Sequence, residues 1–585
     1  MTKAKSSTKK NKSSESLDTV LKDFKSSWEY CSSSWHDRWK NNYSLYHGKR
    51  VKRGYQGISD TFIPMSFSTV ETLVSALFGS KPKFAYLPPQ EQSDQNTDIL
   101  NAIVDYYWDK DQWSVKVINT GRTMLQIGTG VDYYCWEGDH PVLINVPTRD
   151  FFIDPTCTNL DNAKFMGRRY LTTVEELKTF EIVDITIVDE MGNPTGEMKP
   201  KYNNLDKIKD DGGKTGDPTD KEEKDMWYGS TIDKPEESQV EVIEYWTKDK
   251  VISIANRCVV IEDTENYYLA KAKANGEEYP EGLMPFAIAR DYVDGSLFYA
   301  KGEIDFIADQ QERLNDNTNQ RDDAITYNLN QMYTLDPKYA HMISEIENIP
   351  GAVYPVEAGA LAPIPIQSLP QDSFNESQSI KSDIRETTAS NEVVRGVKSD
   401  SNATATEINA QIAGSGQRIN LKITQIENEY FHRMAKIVLA MVKLYVTEPM
   451  MIRILGKDGA RWERFDPADF QGNYEPRVQL DIEVENKKKE DSAMAKEMLA
   501  AFLNDPDINQ QELKKMVLQR SFSLDPDEVE ALMQQQPMLP QGIDPSMLDP
   551  AMMGNPEEQL QDTMPEQAPM EMAQDQSMNI PMGAV

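Results

Sequence analysis

Hydrophobic residues recur at helical spacing in three long stretches of the chain. After residue 16 they predict an amphipathic helical segment whose aromatic stripe packs in a core. That stripe consists of Leu21, Phe24, Trp28, Trp35, Trp39 and Tyr46. A second amphipathic helix is predicted over 62–79, entered after Pro64, and a very long one ends near residue 446. The buried stripe of the long helix is predicted at Ile412, Ile419, Ile423, Ile426, Tyr430, Ile437, Met441 and Leu444.

Other segments have the composition or the period-two alternation of β-strands. The clearest is VQLDIEV (478–484), in which apolar and polar residues alternate throughout. Similar signals occur at VDYYCWE (131–137), VLINVP (142–147) and VEVIEYW (240–246). Helices and strands are interspersed along the chain, which predicts a mixed α+β fold.

One predicted helix, from about Glu303 to Asn330, is polar on nearly every face. Its centre reads ADQQERLNDNTNQRDD, and residues four apart form a slowly winding polar row. That row is Gln311, Asn315, Asn319 and Asp323, opposite a thin apolar strip of Ile307, Leu314 and Ile325. Such a helix is marginal alone. It is either a solvated surface helix with charge pairs, or one of a closed ring of identical helices whose polar rows face a wet lumen.

The segments around this helix are also distinctive. A Pro-rich stretch (333–370) and a second polar helix (372–390) follow it. Residues 204–238 are charged and punctuated by Gly and Pro, which predicts a surface insertion. The Lys-rich arm 1–16 and the Met-, Gln- and Pro-rich tail 537–585 are expected to be disordered.

Composition and motifs argue against catalysis. The net charge of −33 disfavours gripping nucleic acid through a basic surface, but it permits DNA to slide past. We find no P-loop, no GxSxG motif and no His spacing of a metal site, so we expect no cofactor, no metal and no enzymatic activity. The four cysteines lack CxxC spacing and are expected to be reduced. The most apolar helical run (434–446) is too short and too charged to span a bilayer, so no membrane association is expected.

Several blocks, in order over roughly 450 residues, resemble the portal (head–tail connector) proteins of tailed double-stranded DNA bacteriophages. RWKNNYSLYHG (38–48) looks like the N-terminal helix of the family, and FIPMSFSTVETLVSALFGSKPKF (62–84) looks like its F-x-P…VE…L block. VPTRDFFIDPTCTNLDNAKFMGRRYLTTVEEL (146–177) is similar to its P-x-x-DF-x-x-DP block. MPFAIARDYVDGSLFYAKGEIDFIADQQERLNDNTNQRDD (284–323) is similar to the block that runs into the stem helix.

The resemblance implies a portal fold that assembles as a ring, with the chain divided into named parts. These are a wing (17–302, including the insertion 204–238, together with strands in 447–486), two stem helices (303–332 and 371–390), a clip between them (333–370), a tunnel loop (391–403), a long wing-crossing helix (404–446) and a helical crown (487–536). The insertion and the tail 537–585 fall outside the shared pattern.

The resemblance also implies a function and a set of partners. A ring of about twelve copies is expected at one capsid vertex of the virion, after assembly in the host cytoplasm. It would nucleate procapsid assembly with scaffolding protein and major capsid protein, and would dock the terminase large subunit. It would then bind tail adaptor or head-completion proteins. Double-stranded DNA would enter and leave through its channel.

Two groups of residues are candidates for contact with the channel. The polar row Gln311, Asn315, Asn319 and Asp323 is expected to line it. In the tunnel loop, Arg395, Gly396, Lys398 and Asn402 are expected to face DNA, although Arg395 and Lys398 have the alternative of pairing with Glu392 or Asp400. The competing interpretations of the chain are another structural or scaffold virion protein and a metal-dependent DNA-processing enzyme.

Overall fold

The structure is a computed structural model, and it describes most of the chain up to residue 480. The described residues are 2–49, 57–87, 94–183, 198–208, 240–274, 282–330, 332–341, 353–365, 372–390, 417–446, 449–456, 459–465, 474–480 and 515. The chain divides into two units, Met1–Lys487 and Lys488–Val585. All the elements named below belong to the first unit.

Helices occur throughout the described part of this unit. They are α1 Thr2–Ser34, α2 His36–Tyr46, α3 Met65–Phe78, α4 Asp94–Lys110, α5 Trp113–Ile127, α6 Val174–Thr179, α7 Tyr267–Ala274, α8 Glu303–Leu329 and α9 Asp372–Thr387. A further helix, α10, is described over residues 417–445 and contains a π-helical turn at Glu427–Phe431 before the α-helical stretch His432–Tyr445.

The described strands form small antiparallel sheets. They are β1 Pro82–Leu87, β2 Thr129–Glu137, β3 His140–Val146, β4 Phe151–Ile153, β5 Phe165–Thr172, β6 Glu181–Val183, β7 Met198–Pro200, β8 Val240–Thr247, β9 Lys250–Ala255, β10 Val259–Glu265, β11 Phe286–Arg290, β12 Tyr333–Leu335, β13 Leu361–Pro363, β14 Met450–Gly456, β15 Gly459–Phe465 and β16 Glu475–Leu480. The largest sheet has the order β10-β9-β8-β5-β4, and a second has the order β11-β2-β3. The remaining pairs are β1-β16, β6-β7, β12-β13 and β14-β15.

The five-stranded sheet is covered on both faces. Helix α1 packs on one face, where Val20 and Phe24 contact apolar residues of β4, β5, β8 and β9. Because β8 lies in the centre of this sheet, even its carboxylate Glu244 has no exposed surface. Glu244 accepts hydrogen bonds from Arg168 at 2.9 Å and from Lys201 at 2.7 Å, so the buried charge is compensated.

The main core lies where α3, α4 and α5 meet the β11-β2-β3 sheet and α10. The stripe predicted for the long helix is confirmed over its described part. Ile423, Ile426, Tyr430, Ile437, Met441 and Leu444 are all buried, and Ile419 packs on the same core.

Sequence patterns located many of these elements. The helix predicted after Pro64 is α3, and the strand signals at 131–137, 142–147 and 240–246 correspond to β2, β3 and β8. A mixed helix and strand fold is confirmed. Among the described residues, no helix is long and apolar enough to cross a membrane.

Two sequence expectations need correction. The arm 1–16 was expected to be disordered, but helix α1 already begins at Thr2, since no Gly or Pro interrupts this Lys- and Ser-rich stretch. The strand expected at 478–484 begins earlier, at Glu475, because its pairing with β1 sets its register from Leu87↔Glu475 to Pro82↔Leu480. The whole predicted tunnel loop 391–403, the whole tail 537–585, and most of the predicted insertion and crown lie outside the described residues.

Candidate functional site

The polar helix predicted near 303–330 is α8, Glu303–Leu329. At its start, the Asp305 carboxylate accepts the main-chain N–H of Gly302 at 2.8 Å, which satisfies one donor at the helix N-terminus. It is 27 residues long, about seven turns, and contacts α2, α3, α5 and α9. The faces of α8 therefore have different surroundings. The sequence separated a polar row from an apolar strip but did not identify what each of them contacts.

The polar row of α8 is buried within the chain. The exposed fractions are 0% for Gln311, 1% for Asn315, 0% for Asn319 and 4% for Asp323. Residues 57–64, here called the strap, lie along this row and lead directly into α3. The sequence predicted that these four side chains face a wet lumen, whereas in this structure another part of the same chain occupies them.

The amide side chains of this row hydrogen-bond to the main chain of the strap. Asn319 binds both groups of Thr61, since its Oδ1 accepts the N–H at 2.6 Å and its Nδ2 donates to the carbonyl at 3.0 Å. One turn earlier, Asn315 Oδ1 accepts the N–H of Ile63 at 3.0 Å. Gln311 Nε2 donates to the carbonyl of Ile63 at 2.7 Å. Both the main-chain N–H and the main-chain carbonyl of Thr61, and likewise of Ile63, are therefore hydrogen-bonded to side chains of α8.

The two ends of the row bind the start of the strap and the first turn of α3 that follows it. Asp323 accepts the main-chain N–H groups of Ile58 at 2.9 Å and Ser59 at 2.7 Å. At the other end, Gln311 Oε1 accepts the N–H of Ser66 at 3.0 Å. Ser66 lies in the first turn of α3, where main-chain N–H groups have no partner within the helix.

The spacing of the row explains why an extended segment fits it. Four residues of an α-helix rise about 6.0 Å, and two residues of an extended chain span about 6.6 Å. Each step of four along α8 therefore meets the next alternate residue of the strap, from Asp323 with Ser59 to Asn319 with Thr61 to Asn315 with Ile63. Amides and a carboxylate at this spacing were the sequence signal for the contact, but the sequence did not reveal the segment that they bind.

The apolar strip of α8 packs against the second polar helix, α9. Ile307 and Leu314 form a buried cluster with Ile380 and Ile384 of α9 and Met65 of α3. The predicted third member of the strip, Ile325, is instead 42% exposed. The pair is therefore fastened by a small apolar cluster near the N-terminal half of α8.

Polar contacts extend the packing of α8 on α9. Arg313 forms an ion pair with Glu376 at 2.5 Å, and Arg321 donates to Ser377 Oγ at 2.9 Å. Both Arg313 and Glu376 are substantially exposed, so their ion pair contributes little to stability. The apolar cluster, not this ion pair, holds the two helices together.

The face of α9 that points away from α8 is polar and exposed. It consists of Asn375, Gln378, Ser379, Ser382, Asp383 and Glu386. These side chains are hydroxyls, amides and carboxylates, with no Lys or Arg among them. A face with this chemistry does not bind phosphates by ion pairing.

Two short antiparallel strands, β12 and β13, are described within the Pro-rich segment between α8 and α9; residues 336–360 connect them, and the pair is called the hairpin below. Among the residues that the structure describes, its three-residue strands pair only with each other, from Tyr333↔Pro363 to Leu335↔Leu361. Apolar side chains are exposed near it, with exposed fractions of 72% for Leu329, 50% for Met332 and 90% for Val353. Exposed apolar side chains beside a short strand pair are typical of a surface that binds another protein segment.

Helix α10 is anchored to the β11-β2-β3 sheet by a buried carboxyl group. Asp132 on β2 accepts hydrogen bonds from Tyr430 of α10 and from Thr120 and Asn145. Burial raises the pKa of Asp132 to about 6, although these three hydrogen bonds oppose the shift. The start of the described part of α10 is tied to α9, because Arg418 donates to the carbonyls of Glu386 at 3.1 Å and Thr387 at 2.7 Å.

The other candidate residues, Arg395, Gly396, Lys398 and Asn402, lie outside the described residues. Their role in facing DNA stays a prediction. Within the described ranges, no group of three or more His, Cys, Asp or Glu side chains is placed to hold a metal ion.

Comparison with known families identifies the chain's relationship. The family model of the phage SU10 portal protein matches residues 92–579, which is most of the 585 residues. The chain belongs to this portal family. The resemblance seen in the sequence is thereby confirmed, and with it the description as a bacteriophage head–tail connector with a part in genome packaging. No curated protein matches the chain.

The family match covers α8, α9, α10 and the β12-β13 hairpin, and it begins after the strap. The portal family is structural and is not known as a family of enzymes. Membership in it implies a homo-oligomer associated with the capsid, at the portal vertex of the virion.

Proposed function

We propose that this portal protein forms a closed ring of about twelve copies, with α8 and α9 as the stem and the β12-β13 hairpin as part of the clip. The observation that carries the proposal is the pair of polar helices on either side of a hairpin whose strands, in the described part of the chain, pair only with each other, within a portal family match. Neighbouring copies in a ring would cover the hairpin edges and the exposed apolar residues near them.

We further propose that the outward face of α9, rather than the polar row of α8, lines the channel. The row of α8 is occupied by the strap, whereas the six residues of the α9 face, Ser379 and Asp383 among them, are exposed and include no Lys or Arg. Twelve copies at −33 each carry a formal charge of −396. Because duplex DNA carries about one negative charge per 1.7 Å and screening acts over about 8 Å, such a wall favours passage over adhesion.

The remaining parts of the function follow the same proposal. The ring would nucleate procapsid assembly with scaffolding and major capsid proteins, and its clip would dock the terminase large subunit and later the tail adaptors. ATP hydrolysis would belong to the terminase, in keeping with the missing P-loop. Arg395, Gly396, Lys398 and Asn402 would meet DNA in the tunnel loop.

The first test is native mass spectrometry with negative-stain imaging of the purified protein. We expect closed rings with a central hole and a mass near 800 kDa, from about twelve subunits of 66.6 kDa. A protein that stays monomeric or dimeric at micromolar concentration, even with scaffolding protein added, would contradict the ring.

The channel face has its own test. In Ser379→Arg, each subunit places one cation on the exposed face of α9, so a ring of about twelve would carry about twelve in its channel. We expect rings to form normally but DNA packaging to slow. The matched control is Gln320→Arg on the exposed side of α8. Equal packaging by the two variants would exclude α9 as the channel wall.

A further inference from the structure

Strand β11 and the helices α8 and α10 meet at a group of buried charges. Asp291 follows β11, Glu303 is the first residue of α8, and Lys422 lies on α10. The Lys422 ammonium donates to Asp291 Oδ1 and, at 2.7 Å, to Glu303 Oε1. The side chains of Asp291 and Glu303 are 0% and 1% exposed, and that of Lys422 is 13% exposed. These three residues are called the junction below.

The junction contains two carboxylates and one ammonium group, so its formal charge is −1. The other charges around it are already paired. Asp305 on α8 binds Arg38 at 2.9 Å, and Arg290 on β11 binds Glu429 of α10 at 2.9 Å. Tyr292 is neutral, donates to Glu303 Oε1 at 3.2 Å, and places its ring 3.9 Å from the Lys422 nitrogen.

Each carboxylate also has one oxygen that no described residue binds. Asp291 Oδ2 and Glu303 Oε2 are buried and accept no hydrogen bond from any described residue. A buried charge without compensation is costly, and such a group usually takes up a proton instead. Glu303 has a better site for a charge because it lies in the first turn of α8, where the helix dipole favours anions. Asp291 is therefore the group that gains most from protonation.

We propose that Asp291, Glu303 and Lys422 form a proton-binding site that fastens α10 to the start of α8, tight when the proton is bound on Asp291 and looser when it is lost. This inference concerns the chain itself and does not depend on the proposed ring. It is independent of the channel face as well, because none of the three residues lies on the exposed side of α9.

The titration of Asp291 agrees with this geometry. Burial, together with the nearby carboxylates Glu303 and Asp305, raises its pKa to about 7 against the attraction of Lys422. Since the folded pKa lies above the ordinary value of 3.8, the protonated form stabilises the fold at low pH. That stability is lost as the pH rises through about 7, where the junction regains its uncompensated charge.

The junction is one of a series of contacts by which α10 binds both polar helices, α8 and α9. Arg418 holds the C-terminal carbonyls of α9, Lys422 holds the start of α8, and Gln425 donates to the carbonyl of Arg290 at 3.0 Å. Loss of the proton would loosen the middle contact of this series. The attachment of α8 to α10 would then depend on pH in the physiological range.

The test is hydrogen exchange of the full-length protein at pH 6 and pH 8, corrected for the intrinsic pH dependence of exchange. The peptides to follow are 284–305 and 417–430. A site that titrates near pH 7 becomes about tenfold more deprotonated over this range, so we expect about tenfold faster corrected exchange at pH 8. In Asp291→Asn, which is neutral at both pH values, the two rates should agree within about twofold.

Two further variants make the test specific. Glu303→Gln also leaves one carboxylate for one ammonium group, so it too should abolish the pH dependence. It replaces Asp291→Asn in the test if that variant does not fold. Glu262→Gln is the matched control, because burial also raises the pKa of Glu262 to about 7 but its partner is Ser253 on the five-stranded sheet. The proposal would be overturned if the wild-type peptides showed no pH dependence of exchange. It would also be overturned if both Asp291→Asn and Glu303→Gln retained that dependence, or if Glu262→Gln lost it.

Discussion

Replacement of Asn319 by Leu is the sharpest perturbation of the contact between α8 and the strap. Asn319→Leu keeps the approximate size and shape of the side chain but removes its acceptor and its donor. The main-chain N–H and carbonyl of Thr61 then lose their partners at 2.6 and 3.0 Å. The Asn315 carbonyl also loses the Asn319 Nδ2 donor at 2.9 Å, but it lies inside α8, where it also accepts the main-chain hydrogen bond of the helix.

The expected cost follows from these lost partners. An unsatisfied buried polar group costs about 1–3 kcal/mol, and two groups of Thr61 are affected. The Thr61 residue as a whole is exposed, so water reaches it when the strap shifts, and the lower part of the range applies. We therefore expect about 2 kcal/mol, which at about 1.4 kcal/mol per factor of ten corresponds to an open strap populated about 30-fold more.

Hydrogen exchange of the strap amides measures this directly. Thr61 and Ile63 N–H groups are bound to side-chain oxygens of α8, so their exchange reports opening of the strap. In Asn319→Leu we expect them to exchange about 30-fold faster than in the wild-type protein. Gln320→Leu makes a similar amide-to-aliphatic change one residue away, on an exposed position, and should change the rate by less than about twofold. Similar strap exchange in the two variants would refute the contact described here.

Two further predictions concern the packing of α8 on α9 and the buried charges of the sheet. Ile384→Ala should lower the free energy of unfolding by about 2–5 kcal/mol in urea denaturation, because its side chain has no exposed surface, whereas Phe374→Ala, at a 49% exposed site, should cost clearly less. Glu244→Gln should cost about 3–5 kcal/mol at pH 7, because it leaves Arg168 and Lys201 without their carboxylate. Although burial raises the pKa of Glu244, Lys201 and Arg168 lower it to about 2. The difference in unfolding free energy between the wild-type protein and Glu244→Gln should therefore shrink as the pH falls from about 4.5 towards 2. A difference that stays constant with pH would contradict the ion pairing of Glu244 with Arg168 and Lys201.

The sequence predicted the helices well because their evidence is local. The apolar stripe of α10 recurs at helical spacing, and Pro64 immediately precedes the first residue of α3, so each of these helices is visible in its own residues. Portal family membership was also visible, since several blocks in the expected order make a specific pattern even when no one block is decisive.

The surroundings of α8 were not predictable in the same way. The row from Gln311 to Asp323 is polar, and a polar helix face normally meets water. Here it meets the main chain of residues about 250 positions earlier, and main-chain groups have the same chemistry whatever the side chain. The strap therefore leaves almost no trace in its own sequence. The same reason explains β16, whose register is set by β1 almost 400 residues away.

The most direct test of the central claim is a cryo-electron microscopy reconstruction of the purified protein at side-chain resolution. We predict a closed ring of about twelve subunits in which Ser379 and Asp383 of α9 face the central hole. In the same map, Asn319 should remain covered by the strap within its own subunit. The channel assignment would be contradicted by a ring with the strap displaced and with Gln311, Asn315 and Asn319 lining the lumen. The portal assembly itself would be contradicted if no closed ring formed in the presence of scaffolding protein.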